Sequence, residues 1–106
     1  MIFTNADTVP NHHIGETLGI VTGNVVQAKN IGRDVMAGLK SIVGGELKGY
    51  TELMAEARNL AIERMVDEAR AKNADAVITI RFCSSQVMDG AAEVMVYGTA
   101  VKFSDS

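Results

Sequence analysis

The stretch from Tyr50 to Lys72 holds neither glycine nor proline and is rich in Ala, Leu, Met, Glu, Lys and Arg. These side chains favour helical backbone, so the stretch predicts one long α-helix around which the rest must pack. At about 1.5 Å per residue it would run for roughly 35 Å, the width of a small domain. Thr51 or Gly49 is positioned to cap its start, and Glu52 suits the positive end of the helix dipole. Lys72 and Asn73 suit its end, a cation beside the last carbonyls and then a residue that tolerates left-handed backbone. Helical spacing gathers Met54, Ala57, Ala61, Ile62, Met65 and Ala69 into one arc. It turns Glu52, Glu56, Asn59, Glu63, Asp67 and Arg70 the other way. Small alanines on the apolar arc let a sheet or another helix approach closely.

Arg58 breaks the pattern, because it falls inside the apolar arc. A guanidinium aimed at a core must reach water or meet an acceptor, since an unpaired buried charge costs several kcal/mol. Two readings follow. One is a structural ion pair with Glu46, Glu93 or Asp34; the other is an anion-binding arginine in a cleft.

The chain has 106 residues, 47% of them hydrophobic, which predicts a single domain over 1-106 able to bury a core without staples. Its one cysteine, Cys83, has no partner for an intramolecular disulfide, so nothing points to an oxidising compartment. The first residues carry neither a basic nor an apolar leader pattern, which argues against secretion. No apolar run approaches the ~18 residues of a membrane span. A net charge of −3 and the absence of tryptophan give no basis for nucleic-acid binding. The expectation is a cytoplasmic protein with neither membrane nor nucleic acid as partner.

In chain order, Ile2 to Thr4 predicts a short strand, and residues 5 to 15, with Pro10, a loop. His12 and His13 lie there as a solvated pair, since zinc needs three or four ligands and neighbours in extended chain point apart. Glu16 to Gln27 predicts a strand buried on both faces, with Leu18, Ile20 and Val26 on one side and Val21 and Val25 on the other. Gly19 and Gly23 mark bulges or a close backbone approach within it. Asn30 caps a helix from about Ile31 to Val43, ended by Gly44-Gly45. Backbone amides from Gly45 to Thr51 either connect the two helices or cradle an anion. Ala76 to Ser84 alternates as a strand, with Ile78, Ile80 and Phe82 on one face and Val77, Thr79, Arg81 and Cys83 on the other. Asp89-Gly90 predicts a hairpin turn, with Ala92 to Phe103 as the returning strand. That turn would set Phe82 opposite Tyr97, Ile80 opposite Thr99 and Cys83 opposite Val96, an aromatic pair pinning the register. Ser104 to Ser106 should fray.

The fold class is therefore α+β, in the order β-β-α-α-β-β, a mainly antiparallel sheet packed by two helices. Both faces of that sheet are apolar. If both helices cover one face, the other needs a partner, and a homo-oligomer is the economical answer. Helices covering both faces of one copy are the alternative.

The stretches GIVTG (19–23), NIGRDVMAGLKSIVGGELKGY (30–50), AR (57–58), AxxxNADAVITI (69–80) and YGTAV (97–101) resemble the small prokaryotic YbjQ-like family, also called UPF0145 or DUF74. The resemblance covers nearly the whole chain. In the segment NADAV, Asn73 stands where the family usually has glycine, and both tolerate the same cap geometry. The resemblance implies a dodecin-like α+β subunit assembled into a ring, a pentamer. It also implies a heavy-metal-binding label without an established activity.

Weighed on the residues, the metal label finds only Cys83 as a thiolate, with no C-x-x-C and no Cys/His pair at ligand spacing. A ring could bring copies of Cys83 together on its axis, although a strand cysteine is more often a small apolar filler. The possible cofactor is thus a transition-metal ion, with its ligands unassigned. Ligand-binding candidates are Arg58, Glu46 and Tyr50. No nucleophile elbow, catalytic carboxylate pair or cofactor fingerprint favours an enzyme. A site shared between subunits would leave no local motif, so an enzyme of that kind and a partner-binding scaffold stand as the alternatives.

Overall fold

The computed structural model describes residues 1–28, 42–43, 46–88 and 91–104. Its elements are β1 (Ile2–Phe3), β2 (Ile14–Ala28), β3 (Ile42–Val43), β4 (Glu46–Leu47), α1 (Lys48–Ala71), β5 (Ala76–Met88) and β6 (Ala91–Phe103). The main sheet has the order β1-β5-β6-β2. It is mixed: β1 runs parallel to β5, while β5 with β6 and β6 with β2 are antiparallel. Among the described residues one helix packs on it.

The long helix is present and begins earlier than its composition predicts, at Lys48, so that Gly49 and Thr51 lie inside it and do not cap it. Its end follows the left-handed cap geometry. Asn73 has φ 60°, the Asn73 N–H donates to the Arg70 carbonyl at 2.9 Å and the Ala74 N–H to the Ala69 carbonyl at 3.1 Å. Those two bonds satisfy carbonyls that the helix leaves open. The apolar arc packs as predicted, with Ala57, Ala61, Met65 and Ala69 buried against β2 and β6.

A second predicted helix does not hold at its end. Ile42 and Val43 are extended and pair with Leu47 and Glu46 in a two-stranded β3–β4 ladder, as suits β-branched residues. The remainder, from Ile31 to Ser41, lies outside the described residues, as do Gly44 and Gly45.

The glycines of β2 do two different jobs. Gly19 has φ +105° and sits at a register shift, a bulge that carries Leu18 to the helix side. Gly23 lies under the helix, where a Cβ would run into the Ala61 carbonyl oxygen and the Met65 amide. Removing that Cβ is what lets α1 sit down on the sheet. Strand β2 is not buried on both faces, contrary to its apolar pattern. Val21 and Val25 are buried beneath α1, whereas Ile20 is 70% and Val26 58% exposed on the opposite side.

The predicted register of the β5–β6 hairpin is also overturned. Met88 pairs with Ala91, bracketing Asp89 and Gly90, which lie outside the described residues. One shift, between Gln86 and Met88, sets Phe82 opposite Val96, Cys83 opposite Met95 and Arg81 opposite Tyr97. A second shift, between Ile78 and Arg81, moves the register by one more residue and sets Ile78, not Ile80, opposite Thr99. At that bulge Thr79 takes φ 52°. Ile80 and Val77 consequently join the helix-side core, while Ile78 packs on the far side with Ala76, Val101 and Val9. The expected Phe82–Tyr97 pair does not form, since the two side chains face opposite ways.

The loop before β2 closes the far side of the sheet at one end. Val9 is buried there, and the His12 ring stacks on Phe103 with centroids 4.1 Å apart, so His12 is not simply solvated. Ser104 is tied rather than frayed, its N–H donating to the His13 carbonyl at 2.8 Å. Asp75 fixes the corner between helix and strand: its N–H donates to Val101 O and its carboxylate accepts from the Phe103 N–H, both at 2.8 Å.

Candidate functional site

Because α1 lies over β2 and β6 and barely touches β5, the helix side of β5 is buried at Val77 and Ile80 but exposed from Phe82 onward. Hollows follow one another along it. A small one of about 100 Å³ lies between Met54 and Arg58 of α1 and Phe82, Cys83 and Ser84 of β5, with Val94 beneath. It continues past Ser84 into a wider one of about 320 Å³ beside Ser85, Gln86 and Ala92.

Arg58 therefore does not point into the core. Its side chain is exposed at the rim of the small hollow, where α1 stops covering the sheet. The helical arc placed it correctly in angle; the missing strand coverage gives the guanidinium its route to water. Among the described residues it forms no ion pair, and Glu93 is not its partner. Glu46 lies in β4 and Tyr50 in the first turn of α1. Tyr50 and Arg58 are two helical turns apart, about 12 Å along the axis. The structure does not bring the three ligand candidates to one point through their backbone, and the side chains of Glu46 and Tyr50 lie outside what is described.

Cys83 is exposed, not a buried filler. Its register partner is Met95, so a thiol and a thioether stand directly opposite on the sheet surface turned away from α1. Both are soft donors of the kind that select copper(I) and related metals. Met95 was not among the residues expected to matter, because the regular register sets Val96 opposite Cys83. Gly98 marks only the other shift, at Thr79–Ile80, where a Cβ would press on the Val77 and Ile80 side chains and the Ile78 carbonyl; no residue pattern marks the shift between Gln86 and Met88 that brings Met95 opposite Cys83. Two sulfurs do not complete a closed metal site. Among the described residues no group of three or more His, Cys, Asp or Glu side chains converges. A single copy thus offers an incomplete donor set, and His12 and His13 lie in the loop before β2, far along the fold from β5's Cys83.

This combination defines a small α+β protein with one helix, among the described residues, packed on a mixed sheet. A family model described as "Putative heavy-metal-binding" matches residues 1–104, and the chain belongs to that family, the YbjQ family. Among its relatives are UPF0145 proteins of Vibrio parahaemolyticus, 61% identical over 96% of this chain and 97% of that one, and of Thermotoga maritima, 55% identical over 96% of each. A solved structure of a DUF74 protein of unknown function from Pediococcus pentosaceus is similar in fold, with TM-score 0.65, 16% identity and 97% of each chain covered.

Proposed function

We propose that this protein is a homo-oligomeric binding module in which a soft metal ion is held between subunits, with Cys83 and Met95 as this chain's contribution. The observation that carries the reading is an exposed Cys83 paired in register with the half-buried Met95, on a sheet surface that also leaves Ile20, Val26 and Tyr97 uncovered. Apolar strand residues left bare on one face call for a second copy. Bringing copies together there supplies the donors that one copy lacks. A ring, with five subunits of dodecin-like architecture in the cytoplasm, is the form of assembly we expect, over a single domain spanning residues 1-106. Among the described residues no helix is long and apolar enough to cross a membrane.

Arg58 supports a second reading, a small anionic ligand at the rim of the hollow beside Ser84. A scaffold without a ligand, and an enzyme with a site between subunits, are the readings left if both binding tests fail.

Native mass spectrometry and titration calorimetry with copper(I) and zinc test the proposal together. The expected result is an oligomer that takes up copper(I) with a stoichiometry set by the number of interfaces, and loss of that uptake in Cys83→Ser. A monomeric protein, or uptake unchanged in Cys83→Ser, overturns it. Loss of retained anion in Arg58→Met with the fold intact would favour the second reading.

A further inference from the structure

We propose that a hollow beside the Thr79–Ile80 bulge binds a small amphipathic carboxylate, an aliphatic or aromatic acid held by Arg81 through its charge and by Phe3 and Phe82 through its apolar body. The hollow has a volume of about 720 Å³, within the range of about 300–1,000 Å³ typical of small-molecule sites. Ile62 from α1 and Ile80 from β5 form its apolar floor, and the rings of Phe3 and Phe82 stand at its rim, 47% and 50% exposed. Two half-bare aromatic rings around an apolar floor leave hydrophobic surface that a hydrocarbon body would cover.

The polar end of the ligand is specified by Arg81. Its Nη1 donates to the Ile80 carbonyl at 3.0 Å and makes a longer contact of 3.4 Å with the Asn5 carbonyl. These bonds hold the guanidinium in place while, among the described residues, Nε and Nη2 carry no bond. A planar fork with free donors matches a carboxylate. Among the described residues no acidic side chain lines the hollow to compete for that charge.

The backbone around it is held at a cost. Thr79 is β-branched and has φ 52°, a left-handed conformation that such side chains rarely adopt. Loop residues hold it there: the Thr79 N–H donates to Ala6 O at 2.9 Å and the Ile80 N–H to Thr4 O at 3.1 Å. The bulge is what turns Ile80 and Phe82 to the helix side and leaves Arg81 at the hollow's edge. In an unbulged strand Phe82 would share its face with Ile78, and the hollow would lose its floor.

The test uses octanoate against octylamine, which presents the same chain with the opposite charge. Ligand-observed NMR on the intact protein should show octanoate binding and octylamine not. Arg81→Gln should weaken octanoate by about tenfold or more, the loss expected for hydrogen bonds to a charged group, while the surface control Arg70→Gln leaves it unchanged. No octanoate binding, equal binding of octylamine, or unchanged binding in Arg81→Gln overturns the proposal. So does a loss in Arg58→Gln that Arg81→Gln does not share, which would move the anion to the other arginine. Should Arg81→Gln fail to fold by circular dichroism, the discrimination between the two charges by the wild-type protein decides it alone. The metal titration above is independent of every one of these outcomes.

Discussion

The two faces of β2 and β6 both carry apolar residues in sequence, and those residues have opposite fates. On one, Val21, Val25, Val94 and Val96 are buried beneath α1. On the other, Ile20, Val26 and Tyr97 of the same strands stand in the open. Strand alternation divides residues between faces, but it does not say which face will be covered. Coverage was decided by Gly23 and the alanines of α1, which let the helix backbone settle on one side only. The open face is then a property of the assembly rather than of the strand.

Substitutions at four positions probe that contrast. Gly23→Val places a branched side chain against the Ala61 carbonyl, and backbone cannot move aside as a flexible side chain can. We expect loss of the cooperative urea transition; a transition retained at wild-type midpoint would show that α1 does not depend on that contact. Met65→Ala removes a fully buried side chain from the covered face and should cost about 2–5 kcal/mol by chemical denaturation. Asn73→Ala forces a less tolerant residue into the left-handed position that ends α1, for a loss of about 1 kcal/mol, whereas Asn73→Gly should be neutral or slightly stabilising. Ile20→Ser, on the open face, should change the stability of a dissociated chain by less than about 0.5 kcal/mol. Its effect belongs in sedimentation velocity, as a shift toward smaller species. A large stability loss in Ile20→Ser without any change of mass would mean that the open face is covered within one copy.

The helix and its inward arc were readable from residues 50 to 72 because their period is local. The same holds for Asn73, Gly19 and Gly23, each singled out by a backbone demand that its residue type meets. Strand register was not readable. A turn fixes it only until the first bulge, between Gln86 and Met88, and the shift at Thr79–Ile80 rests on long-range contacts with the loop after β1 and with Gly98. Arg58 was visible as a misplaced charge, yet its surroundings depended on how far the helix extends across the sheet. The pairing of Cys83 with Met95, and the hollow floored by Ile80, follow from those shifts and could not be seen without them. Ile42 and Val43 fitted a helical period and a strand propensity equally well; pairing with β4 decided between them.

Strand β2 lies at the border of the sheet with β6 as its single ladder neighbour, so along fifteen residues one row of amides and carbonyls faces outward. Such a row is a template for any extended segment that meets it, its own kind included. The register shifts at Ile14–Glu16 and Thr17–Gly19 interrupt the template, and the Arg64 side chain donates to the Asn24 carbonyl. Preparation of this protein will therefore respond to how crowded the chains are while they fold: dilute refolding gives each copy time to seat α1 before an exposed border finds the wrong strand.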